Sequence, residues 1–142
     1  TIFPWIAIID KFQHWVYENP AHTPEQRTTR WNAILNEFKD SVIDYSGLEE
    51  YRSNAWQRQL HLFEVPFYYI EYGIAQLGAI GMWMQFKNNR GKALDNYCTA
   101  LSMGATKTLP ELYKAAGLNF DFSPAQIKVL MEFVKEEMDR LN

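Results

Sequence analysis

An all-α fold is what this sequence predicts, on three observations. No stretch alternates polar and apolar residues with period two for long enough to make a sheet. Apolar residues recur instead at three- and four-residue spacing along most of the chain. Three segments also read as helix starts: Thr23-Pro24-Glu25-Gln26, Thr108-Leu109-Pro110-Glu111 and Ser123-Pro124-Ala125-Gln126. Each has a capping hydroxyl, a proline in the first turn, and a glutamine or glutamate closing a capping box. At 142 residues, 47% of them hydrophobic and 22% charged, the chain has material for a substantial core. Residues 1–142 are expected to form a single bundle-like helical domain of about seven helices joined by short connections.

In chain order, Ile8, Ile9, Phe12, Trp15 and Val16 mark the face of a first helix, with Asp10, Lys11, Gln13 and Glu18 elsewhere and Asn19-Pro20 as its end. The helix opened by Thr23 carries Trp31, Ile34, Leu35 and Phe38 on one side. Residues 40–47 read as a connection, with a short turn of helix around Val42 and Ile43. From Leu48 to about Phe63 a further helix is expected, with Trp56, Leu60 and Phe63 as its apolar line.

The run from His61 to Met84 is the expected centre of the molecule. Pro66 pushes Val65 out of the α region and suits the first turn of a new helix, so a helix is expected from Phe67 onward. Its first two turns would present Tyr68, Tyr69, Glu71 and Tyr72. Gly73, Gly78 and Gly81 would then let another helix approach closely. Glu71, Gln76 and the glycines argue for a helix buried in protein rather than one spanning a membrane. Beyond it, residues 87–92 form a polar turn, and Leu94, Tyr97, Cys98 and Leu101 mark another helix closed by Gly104. A short helix opened by Thr108 runs through Ala116 to Gly117. The last packs Ile127, Leu130, Met131, Val134, Met138 and Leu141.

Net charge is −3 without a basic stripe, which argues against nucleic acid as a partner. The one cysteine, Cys98, excludes an internal disulfide, fits a reducing, cytoplasmic compartment and sits on an apolar face as a buried thiol. The first residues lack the basic flank and cleavage site of a signal peptide. The chain starts at Thr1 inside a helical pattern, so it is expected to be a piece of something longer.

Candidate chemistry is sparse. Asp10 and His14 lie one helical turn apart and could supply half a metal site. His22 reads as a loop residue, and no His-Glu-x-x-His helix or paired carboxylate cluster is present. Spacing alone leaves two readings of His61 with Tyr68, Tyr69 and Tyr72. They pack as core aromatics, or Tyr69 and Tyr72 share a helix face with His61 beside them and line a cleft. Phenol and imidazole donors so placed suit a peptide carbonyl or a developing oxyanion.

The segment His61-Leu-Phe-Glu-Val-Pro-Phe-Tyr-Tyr-Ile-Glu-Tyr-Gly-Ile-Ala-Gln-Leu77 resembles the C-terminal signature of the oligoendopeptidase F and thimet-oligopeptidase family. The stretch from Asp10 to Pro20 followed by His22-Thr23 is similar to a second part of those enzymes. The resemblance implies α-helical zinc metallopeptidases that cut oligopeptides in a channel between two lobes. It implies that Tyr69 or Tyr72 meets the carbonyl oxygen that becomes the oxyanion, and that His61, with Tyr68 a further member, binds the substrate backbone. The family's zinc ligands, two histidines of a His-Glu-x-x-His helix and a later glutamate, lie upstream of the part seen in this chain. The expectation is therefore a catalytic-lobe part whose zinc belongs to the full-length parent, inactive and metal-free by itself. Its partners would be an oligopeptide substrate and the missing N-terminal part of the same chain, with no nucleic acid, no membrane, and self-association through the surface that part would cover. The competing expectation is a stand-alone helical interaction module without catalysis.

Overall fold

The computed structural model describes residues 2–38 and 42–141, so part of the expected 40–47 connection lies outside the described residues. Among the described residues there are eight α-helices and two 3₁₀ turns, and no strand. The chain divides into two compact units, Thr1–Gly73 and Ile74–Asn142.

The first unit holds α1 (Ile2–Glu18), α2 (Pro24–Glu37), α3 (Glu49–Ser53), a 3₁₀ turn (Ala55–Arg58), α4 (His61–Glu64) and the first turn of α5 (Ile70–Asn88). The predicted faces of α1 and α2 meet. Ile8, Ile9 and Phe12 are buried with Trp31 and Ile34, and Trp5, Leu35 and Trp56 pack on their edge. Burying side chains of this size stabilises by about 1.5–3 kcal/mol each. The Trp31 ring takes Phe12 edge-on at 5.0 Å and Trp5 at 5.8 Å. Its indole N–H donates to the Arg52 carbonyl at 3.0 Å, so burial leaves no orphan donor there. The Thr23–Gln26 capping box is complete, with each side chain bonded to the other's backbone N–H.

The single helix expected from Leu48 to Phe63 is instead three short pieces. Asn54 leaves helical geometry, and its side-chain amide donates to the Glu50 carbonyl at 3.0 Å, the local competition with the helix that asparagine is prone to. Gln59 breaks the chain again, with φ −89° and ψ 87°. Trp56 and Phe63 still stack across the breaks at 5.8 Å, but Leu60 and Phe63 are exposed. No helical turn forms at Val42 and Ile43.

The second unit comprises the rest of α5, α6 (Arg90–Ser102), a 3₁₀ turn (Gly104–Thr106), α7 (Leu109–Ala115) and α8 (Pro124–Asp139). The expected polar turn shrinks to one residue. Asn89 caps α6, its side-chain oxygen accepting the Lys92 N–H at 3.1 Å. α7 ends in a Schellman motif at Gly117, whose φ is +70°. The Leu118 N–H reaches the Tyr113 carbonyl, and the Gly117 N–H reaches that of Lys114. At the start of α8 the Ser123 hydroxyl accepts from Gln126, but Asp121 takes the Ser123 N–H, so the third capping box is only half formed.

The glycines of α5 allow the close approach expected of them. A Cβ at Gly78 would lie 2.6 Å from the Tyr113 hydroxyl, which donates to the Ile74 carbonyl at 2.8 Å. A Cβ at Gly81 would lie 2.9 Å from a methyl of Leu118. The helix is not the buried centre it was expected to be. Gly73, Ile80 and Gly81 are buried, but Tyr72, Trp83 and Phe86 are exposed, because its small residues gather the contacts on one side. α6 departs further, with Leu94, Tyr97, Cys98 and Leu101 exposed and Ala93 buried. On α8 Leu130 is buried and Met138 is exposed, as is Leu141 just beyond the end of the helix. No described helix is long and apolar enough to cross a membrane.

A histidine and tyrosine cluster as candidate active site

The candidate site lies wholly in the first unit and is built by a break in the helical chain. α4 stops at Val65, Pro66 follows, and Phe67 adopts φ +61°, a left-handed conformation uncommon for a side chain of this size. α5 consequently starts at Ile70 rather than Phe67, and Tyr68 and Tyr69 precede it. The turn reverses the chain so that the tyrosines come back over His61. Three contacts hold Phe67 in place. Its ring sits against His14 at 4.9 Å and Tyr17 at 5.0 Å on α1, and its N–H donates to the side-chain oxygen of Gln13 at 2.9 Å. Gln13 is itself almost wholly buried, so the acceptor for this strained residue comes from the core.

All four residues singled out in the sequence come together. The His61 ring lies parallel to Tyr68 at 6.1 Å and meets Tyr69 edge-on at 4.8 Å and Tyr72 at 5.7 Å. Tyr72 also meets Tyr68 at 5.7 Å and Tyr69 at 5.3 Å. They are not equivalent: Tyr69 packs against the hydrophobic core, whereas Tyr68 and Tyr72 are about two-fifths exposed, at 43% and 42%. His61 Nε2 is 3.3 Å from the Tyr72 hydroxyl. Partial desolvation, then the neighbouring Tyr68, Tyr69 and Glu71, raise the Tyr72 pKa above its ordinary value. Its phenol, protonated at neutral pH like any tyrosine, can donate. A concavity of about 700 Å³ is lined by Trp15, His22 and Arg30 among others and by none of the four.

Sequence reasoning passed over two residues that this geometry depends on, Gln13 and Gln59. Gln59 Nε2 lies 2.6 Å from His61 Nδ1, and its Oε1 accepts the Trp5 indole N–H at 3.1 Å. Gln13 had been placed off the apolar face of α1. A polar residue two turns along from Ile6 and one turn along from Ile9 was the only local signal, and it does not name a partner.

Asp10 and His14 do meet, at 3.6 Å. Among the described residues no three His, Cys, Asp or Glu side chains converge on a point where a metal could sit. The described donor sets therefore do not fit a zinc ion, which takes at least three protein ligands. His22 bonds within its own turn, to the Asn19 carbonyl at 2.6 Å and the Arg27 side chain at 2.8 Å.

Comparison with known proteins covers nearly the whole chain. The model of peptidase family M3 matches residues 2–131. The structure of Pz peptidase A with an inhibitor is similar over 96% of this chain and 24% of its own, at 34% identity and a TM-score of 0.82. A protein assigned as an oligoendopeptidase F is similar over 97% of this chain and 24% of its own, at 33% identity and a TM-score of 0.82. The chain thus spans about a quarter of the length of either structure. No curated protein sequence matches.

Proposed function

The chain belongs to peptidase family M3, and from that premise we propose that it supplies one wall of a peptide-hydrolysing site in a zinc oligopeptidase. The observation that carries this reading is the half-exposed Tyr72 hydroxyl, held against His61. When a peptide carbonyl is attacked, its oxygen gathers negative charge. A phenol placed there interacts more strongly with the transition state than with the substrate. Tyr72 takes this oxyanion role in preference to Tyr69, whose ring is committed to the core. Tyr68 and His61 line the path of the substrate backbone, and a short peptide is the substrate. The zinc that such an enzyme uses would be held by residues outside this chain, and these 142 residues by themselves would neither hold zinc nor cleave peptides.

The test is Tyr72→Phe in the complete protein. Phenylalanine keeps the ring and removes the donor, so kcat should fall on the order of a hundredfold to a thousandfold. KM and bound zinc should change little. Tyr69→Phe should have a smaller effect, and His61→Ala should lower kcat/KM. A Tyr72→Phe enzyme with wild-type kcat would remove Tyr72 from the chemistry. The second reading, an interaction module, draws on the exposed Leu94, Tyr97 and Leu101 of α6. It requires that no variant of the tyrosine cluster alter peptide cleavage.

A further inference from the structure

The hydrogen bonds behind His61 have a determined direction. An indole N–H can only donate, so the Gln59 atom 3.1 Å from Trp5 must be the amide oxygen. The Gln59 NH₂ then faces His61 Nδ1 at 2.6 Å, and an amide nitrogen can only donate. Nδ1 must therefore accept, and in the neutral ring the proton sits on Nε2. Nε2 lies 3.3 Å from the Tyr72 oxygen and donates to it, which turns the hydrogen of Tyr72 away from the histidine.

We propose that Gln59, oriented by Trp5, is a positioning residue that fixes His61 in its Nε2–H tautomer and thereby keeps the Tyr72 hydroxyl hydrogen from being directed at the histidine. The tautomer follows from this geometry alone, and only its value to catalysis rests on the function proposed above. His22 offers a control in the same chain. Its Nδ1 lies 2.6 Å from the Asn19 carbonyl oxygen, which can only accept. Its Nε2 takes the Arg27 Nε–H at 2.8 Å, so His22 carries the opposite tautomer.

The experiment is nitrogen-15 NMR of this chain with ring-labelled histidine, at about pH 8.5, where an ordinary imidazole is neutral. His61 should show a protonated Nε2 and an unprotonated Nδ1, and His22 the reverse. In Gln59→Glu the carboxylate still accepts from Trp5 but has no hydrogen for Nδ1. The proton should move to Nδ1 and the His61 pattern should invert, with His22 unchanged. Trp5→Phe should free the amide to turn over and give a mixture. A protonated Nδ1 in the unsubstituted chain, or a Gln59→Glu spectrum with Nε2 still protonated, overturns the proposal; the first of these needs no variant to fold. In the complete protein, Gln59→Glu should lower kcat about tenfold or more with KM little changed, as a reversed histidine tautomer does elsewhere. An inverted tautomer with unchanged kcat would support the relay and overturn the role given to Tyr72.

Discussion

The two units stabilise themselves in different ways. In the first, large side chains interdigitate: Phe12 and Trp31 are the biggest fully buried residues of the chain, with Ile6, Ile9 and Ile34 around them. In the second, backbones come close. The buried hydrophobic residues described there are Ile80, Ala93, Ala116 and Leu130, and the tightest contacts run over Gly78 and Gly81. Gln85 supports the α7 end by donating to the carbonyls of Ala116 and Gly117 at 3.2 and 2.7 Å. α1 and α6 show the contrast most directly, since both carry apolar residues at helical spacing. That of α1 is buried, whereas Leu94, Tyr97 and Leu101 of α6 face outward. Apolar spacing reports a helix, and only a partner decides whether the stripe is a core.

Substitution can break or sharpen this contrast. The largest effect is expected at Phe12→Ala, which empties the centre of the first unit and should destabilise by about 3–5 kcal/mol in denaturant unfolding. At Gly78→Ala the better helix propensity, about 1 kcal/mol, is opposed by a methyl pushed into the Tyr113 hydroxyl. Overpacking of about 1–3 kcal/mol outweighs the gain, so a net loss should be measured. Combining it with Tyr113→Phe, which removes the hydroxyl, should reduce that loss. Least affected should be Leu101→Gln, within about 0.5 kcal/mol, because the side chain is exposed. A large loss there would show that the α6 stripe is covered, and the contrast between the units would fail.

What could be read from the sequence was local. Thr23, Thr108 and Ser123 each stand where a helix begins, and Gly117 ends α7, because capping and left-handed geometry are decided within four residues. The composition of the candidate site was equally legible, since His61, Tyr68, Tyr69 and Tyr72 lie within twelve positions and do converge. The breaks at Asn54 and Gln59, the late start of α5 and the parts played by Gln13 and Gln59 were not. Both bridging hydrogen bonds, Trp5 to Gln59 and Phe67 to Gln13, join residues 54 apart in sequence. A glutamine in a helical pattern reads as solvated until the distant donor or acceptor is known. The exposed faces of α6 and α8 went unread for the complementary reason, that spacing carries no information about what lies opposite.

The bond from Phe67 to Gln13 also bears on motion. Surface turns ordinarily open and close independently of the interior, on a faster timescale. Here the turn that aims the tyrosines is latched to a residue inside the packed centre of α1. Swinging Phe67 outward would strip its N–H of a partner and leave the Gln13 amide stranded in an apolar surrounding. Excursions of the turn are thereby tied to breathing of the core. The tyrosine cluster is thereby fastened to the interior through α1, and whatever met its hydroxyls would find them already placed.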